Sequence, residues 1–147
     1  MYKKQIQQTA KIIQNLFGFI DVENFFKERF IKFVMVKNHP ASATLTLIKK
    51  DSEKYGIYVI ATLSPKERLV SLMHEFFHLP FYYAGIPNVG EMSDQEGCLL
   101  EDVVDCLAEK FVDENRRLVE KIFEQSFGFS VYKTPVDISS GFPKTRP

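Results

Sequence analysis

The run VSLMHEFFHLPFYY at residues 70–83 constrains this chain more than any other. Leu69, Leu72, Met73 and Phe76 recur at the spacing of a buried helical stripe, and His74, Glu75 and His78 interrupt it. Helical residues are about 100° apart, so these three project within one arc, the histidines one turn apart and the glutamate beside them. Two imidazoles and a carboxylate facing an apolar core are costly without a partner. At this spacing they can share one Zn²⁺ at about 2.0–2.1 Å, with the glutamate placed to take a proton from activated water, the HExxH zinc-hydrolase pattern. The alternative is a buried helix with incidental histidines. The helix start is strongly specified: Ser64 caps, Pro65 suits the first helical position, and Glu67 completes a capping box. Pro80 should end or kink it.

A zinc site needs a third ligand, and no histidine lies between Leu79 and Asp94. His39, in a turn-like Asn-His-Pro, is read as exposed. A carboxylate from the next helix is the remaining source. Ser93-Asp94-Gln95-Glu96 is a second capping box, opening a helix that carries Leu99, Val103, Cys106, Leu107 and Phe111. On it Glu101 and Asp105 lie one turn apart on one face. Glu101 is the candidate metal ligand, and Asp105 the acceptor that fixes the tautomer of a ligand histidine. A solvated acidic face is the competing reading. Asp102 and Glu96 are weaker ligand candidates, and Cys98, one turn before Glu101, offers a thiolate. Cys98 and Cys106 are about 12 Å apart by helical rise, too far for a disulfide while the helix is intact.

The rest of the chain reads as α+β. Helical spacing over Lys4 to Phe17 ends at Gly18 as C-cap, and Asp21 caps a short helix holding Phe25, Phe26 and Phe30. Three stretches rich in β-branched and aromatic residues follow: Ile31 to Lys37, Ala43 to Ile48 and Tyr55 to Leu63. Turn signals at Asn38-His39-Pro40 and Asp51-Ser52 separate them, which predicts a three-stranded antiparallel meander packed against the HExxH helix. A last helix around Leu118 to Phe127 ends near Gly128. Residues 1–133 are expected to form one domain, and 134–147, with Pro135, Pro143 and Pro147, a flexible tail. Fourteen Phe and six Tyr with no Trp point to a Phe-rich core or an aromatic groove for a peptide.

Nineteen basic and nineteen acidic residues give zero formal net charge, which argues against sequence-independent nucleic-acid binding and against a polybasic membrane contact. The polar start does not read as a secretory signal, and no apolar run approaches the ~18 residues of a spanning helix. Two cysteines and no export signal make a reducing cytoplasm the default.

On these residues the chain resembles the ImmA/IrrE family of small cytoplasmic zinc metallopeptidases, gluzincin-like in their HExxH chemistry, as a divergent member. The similarity covers roughly residues 55–112: a strand ending near Ala61, the Ser-Pro start, HEFFH, and Asp105-Cys106-Leu107-Ala108 where the family has Asn-x-Phe-Ala. His74, Glu75 and His78 match by position. Phe77 replaces the family's glycine, and Val103 stands where its glutamate is expected, so the ligand falls to Glu101 or Asp102. The resemblance implies a zincin-like fold and a Zn²⁺-dependent endopeptidase with Glu75 as base, acting on a protein such as a transcriptional repressor. Tyr82 or Tyr83 would steady the oxyanion, and substrate would add to an exposed edge at Tyr55 to Ala61. The other reading is a catalytically degenerate module on the same fold that binds a protein partner.

Overall fold

Tyr55 through Ile60 are buried without interruption, and that run decides the sheet. The computed structural model describes residues 1–37 and 43–133; His39 and the segment 134–147 lie outside them. Strands β1 (Phe30–Val36), β2 (Ala43–Lys49) and β3 (Lys54–Ile60) form a mixed sheet in the order β1-β3-β2. β2 pairs antiparallel with β3, but β1 pairs parallel with it. The expected antiparallel meander is therefore corrected, and so is the exposed edge at Tyr55 to Ala61. A strand apolar at every position needs cover on both faces and a neighbour on both sides, which only the middle place supplies.

The two faces of β3 differ. Tyr55, Ile57 and Val59 join the main core, whereas Tyr58 and Ile60 pack with Val36, Val34 and Leu63 in a small cluster on the other side. Gly56 opens that second face, where an added Cβ would stand 3.3 Å from both Ile48 and Lys32. In β1 the register slips between Phe30 and Lys32. That one-residue bulge lets both Phe30 and Phe33 face the main core, which strict alternation forbids.

Helix α1 (Lys3–Asn15) buries Ile6 and Ile13 and stops before Gly18. Phe17 leaves the helix to pack against Phe77, tilted at 5.6 Å between ring centroids, and edge-to-face against Phe111 at 5.3 Å, and this contact outweighs another helical turn. In α2 (Val22–Arg29) the Asp21 side chain accepts from the Asn24 amide, as expected, while Phe30 has passed into β1. α3 (Pro65–Tyr83) opens with the full Ser64–Glu67 capping box. Its start is also anchored by Arg68, a buried guanidinium donating to the carbonyls of Ala61, Val131 and Lys133.

Of the two outcomes expected of Pro80, an end or a kink, the first does not occur: α3 continues through it to Tyr83. Proline inside a helix costs about 3 kcal/mol, and its two chain neighbours in α3, Leu79 and Phe81, are buried, each worth about 1.5–3 kcal/mol. Gly85, at φ +89°, ends the helix instead. After a single 3-10 turn at Val89–Glu91, α4 (Asp94–Glu114) starts at Ser93, whose hydroxyl accepts from the Glu96 amide. α5 (Arg116–Phe127) closes at Gly128 with φ +82°, as the sequence predicts.

α3 touches β2, β3, α1, α4 and α5, so it runs through the centre of the core. Phe26, Phe30, Phe76, Phe77, Phe81 and Phe111 are all buried there, whereas Phe19 is 85% exposed. No helix among the described residues is long and apolar enough to cross a membrane.

Candidate metal centre

The site lies where α3 meets α4. Leu69, Leu72, Met73, Phe76 and Phe77 fix the rotation of α3 by pointing into the core, which leaves His74, Glu75 and His78 at its margin. Leu100, Val104, Leu107, Ala108 and Phe111 do the same for α4 and turn Glu101 and Asp105 towards them. Thus the apolar pattern of each helix aims its polar residues.

The convergence is close. Glu101 places Oε2 3.0 Å from His74 Nε2 and Oε1 3.0 Å from His78 Nε2. The two Nε2 atoms are themselves 3.1 Å apart. On the far side of the ring, His74 Nδ1 donates to Asp105 Oδ1 at 3.2 Å. The histidine side chains are 17% and 21% exposed, so the cluster is sheltered but open on one side.

This triangle fits a cation better than a set of hydrogen bonds. Each Nε2 carries one hydrogen or one lone pair, never both. If each donates to Glu101, no hydrogen remains for the contact between the two nitrogens. If one is deprotonated to accept from the other, a contact to Glu101 is lost. A divalent ion shared by all three satisfies them together, and two imidazoles with one carboxylate is a set that Zn²⁺ takes with an open fourth position. His74, His78 and Glu101 form a group able to hold a metal ion among the described residues.

The electrostatics agree. Burial pulls the His74 pKa down, but its hydrogen bond to Glu101 and the charges of Glu75 and Glu101 outweigh this and raise it. Burial pushes the other way on Glu101, yet hydrogen bonds from His74 and His78 hold its carboxyl well below the usual range. The carboxylate is therefore ionised at any ordinary pH, as a ligand must be.

Compared with protein-family models, curated proteins and solved structures, the chain matches none. The resemblance drawn from HEFFH and Asp-Cys-Leu-Ala stands on those residues alone.

The other candidates separate from the cluster. Asp102 and Cys98 are exposed and outside the ligand group, and Cys106 is likewise exposed and unbonded. Glu96 is engaged at the start of α4 with Ser93, the Tyr2 amide and the terminal ammonium of Met1. Val103 packs against the core, which removes position 103 as a ligand. Glu75 and Tyr82 line a cavity of about 590 Å³ beside His78 and Glu101. Tyr83 is tied to the buried Tyr55 by a 2.8 Å bond between hydroxyls. Burial and that bond push the Tyr55 pKa far up, so it stays neutral.

Sequence reasoning missed the cavity wall made by β2 and Tyr55. Apolar spacing marked β2 as a strand but carried no signal that it would face the HExxH helix; that follows from β3 taking the middle place.

Proposed function

We propose that this chain is a zinc-dependent endopeptidase of the ImmA/IrrE type, acting in the cytoplasm on a regulatory protein such as a transcriptional repressor. The observation that carries this reading is the meeting of both HExxH imidazoles with the Glu101 carboxylate at 3.0 Å each. His74, His78 and Glu101 are the residues that would hold Zn²⁺. When bound, the ion supplies Lewis acidity, which acidifies water and polarises a peptide carbonyl.

The chain's own residues do the rest. Glu75, in the cavity wall next to His78 and Glu101, is the general base: its carboxylate takes a proton from the attacking water and returns it to the departing amine nitrogen. Asp105 holds the Nδ1 hydrogen of His74 and so keeps Nε2 turned towards Glu101. Tyr82, in the same wall, donates to the carbonyl oxygen as negative charge develops there. The zero net charge supports a protein or peptide substrate rather than nucleic acid.

The test is a pair of variants assayed for bound zinc and for cleavage of candidate repressor proteins. Glu75→Gln should keep one zinc per chain and lose about 10²–10⁴-fold in turnover. Full turnover in that variant removes Glu75 from the mechanism, and zinc-loaded wild type that cleaves no protein favours a binding module.

A further inference from the structure

The cavity beside the metal centre is large for a single catalytic water and chemically one-sided. Its volume is about 590 Å³, within the range of pockets that enclose a ligand. One end is the site itself, with Glu75, His78 and Glu101. Away from that end the walls are mainly apolar, with Leu45 and Leu47 from β2, Leu79 and Phe81 from α3, and Leu100 from α4, while Thr44, Asn88 and the tyrosines Tyr55 and Tyr82 add polar atoms. Among the described lining residues the charged side chains are acidic, with no lysine or arginine to meet an anion.

These facts point to what enters. A group reaching the metal centre from this side must fill an apolar space or leave it wet. Leu79, Phe81, Ile86 and Leu100 are fixed in the core, so the cavity does not collapse when empty. An acidic side chain would meet the carboxylates of Glu75 and Glu101, and no lysine or arginine among the described lining residues offsets them. An aromatic or long aliphatic side chain would cover the apolar part of the wall.

We infer that this cavity is the specificity pocket of the site, taking a large apolar or aromatic side chain of a peptide next to the bond presented to His74, His78 and Glu101. The assignment rests on the peptidase reading for the word specificity, and on the cavity alone for the binding. Leu47 is the residue to probe, because it lines the pocket from the edge strand β2 and is only partly buried. Leu47→Trp narrows the pocket while keeping a strand-favouring residue.

Two measurements separate the two claims. The first needs no turnover: methyl NMR of the metal-free and zinc-loaded protein, titrated with N-acetyl-phenylalaninamide and N-acetyl-alaninamide. The phenylalanine probe should shift the methyls of Leu79, Ile86 and Leu100 in both forms, the alanine probe should not, and Leu47→Trp should abolish the response. The second is cleavage of a randomised peptide library by the zinc-loaded protein. One position beside the cleaved bond should favour Phe, Leu or Met over Ala by at least about tenfold, and Leu47→Trp should reverse this. Equal or absent responses to the two probes overturn the pocket assignment whatever is cleaved. A selective response without any cleavage supports the pocket and refutes the peptidase.

Discussion

His74 uses both ring nitrogens, Nε2 towards Glu101 and Nδ1 towards Asp105. Asp105→Ala should therefore leave the ligand set intact yet weaken zinc binding about 10–100-fold, as read by competition with a chelating dye. Glu101→Ala should cost more, since it removes a ligand. Proton linkage gives a further check. In the metal-free protein Glu101 is depressed below its ordinary 4.5, so its contribution to stability is present above that pH and lost under strong acid. His74 is raised above 6.5, so its contribution is complete below that pH and fades as pH climbs through the raised value. Metal-free protein should thus gain most from this pair between pH 4.5 and 6.5, measured as the pH dependence of its Tm. Zinc needs the neutral ring, so its affinity should rise with pH over the same titration. At this scale the sequence was highly legible. Helical spacing put His74 with His78, and Glu101 with Asp105, on one face of each helix, because one-turn spacing survives whatever packs behind it; that Glu101 and not Asp102 or Cys98 meets the histidines comes from the packing.

Elements were legible where capping chemistry is local and less so where tertiary packing overrules it. Ser64 and Ser93 cap as their side chains require, whereas Gly18 and Pro80 do not end their helices because burial nearby is worth more. Phe77 follows the same logic. It is fully buried against Phe17, Phe76 and Phe111, which explains an aromatic ring where the resembled family has glycine. Phe77→Ala should lower stability by about 3–5 kcal/mol in urea unfolding. Phe77→Gly should cost about 1 kcal/mol more through helix propensity. Near the site, Gly97 lets the 3-10 turn approach α4: an added Cβ would stand 2.9 Å from a Val89 methyl. Val89 is stiff at its branch point and lines the cavity. Gly97→Ala should therefore cost about 1–3 kcal/mol by overpacking and change the response of the cavity methyls to an aromatic probe.

For the whole molecule, the α+β class is legible in the succession of helical and strand-like runs, but the sheet order β1-β3-β2 differs from the meander that the turn signals predict. Consecutive strands with turn signals between them favour a meander, and the unbroken apolar run at Tyr55–Ile60 is the sequence feature that argues otherwise. Placing β3 in the middle puts β2 at the edge beside α3, which builds the cavity. α3 and α4 also pack on each other, and their apolar faces belong to one core, so the two helices that carry the candidate ligands are held together by that interior. The proposed peptidase activity depends on one cation bridging those helices. The most direct test is calorimetric titration of the chelator-stripped protein with Zn²⁺, run beside the Glu101→Ala variant. One site per chain is expected, with proton release seen as an observed enthalpy that varies with the ionisation enthalpy of the buffer, and affinity lost by at least about 100-fold in the variant. Zinc that fails to bind the wild type, or binds the variant equally well, would contradict it.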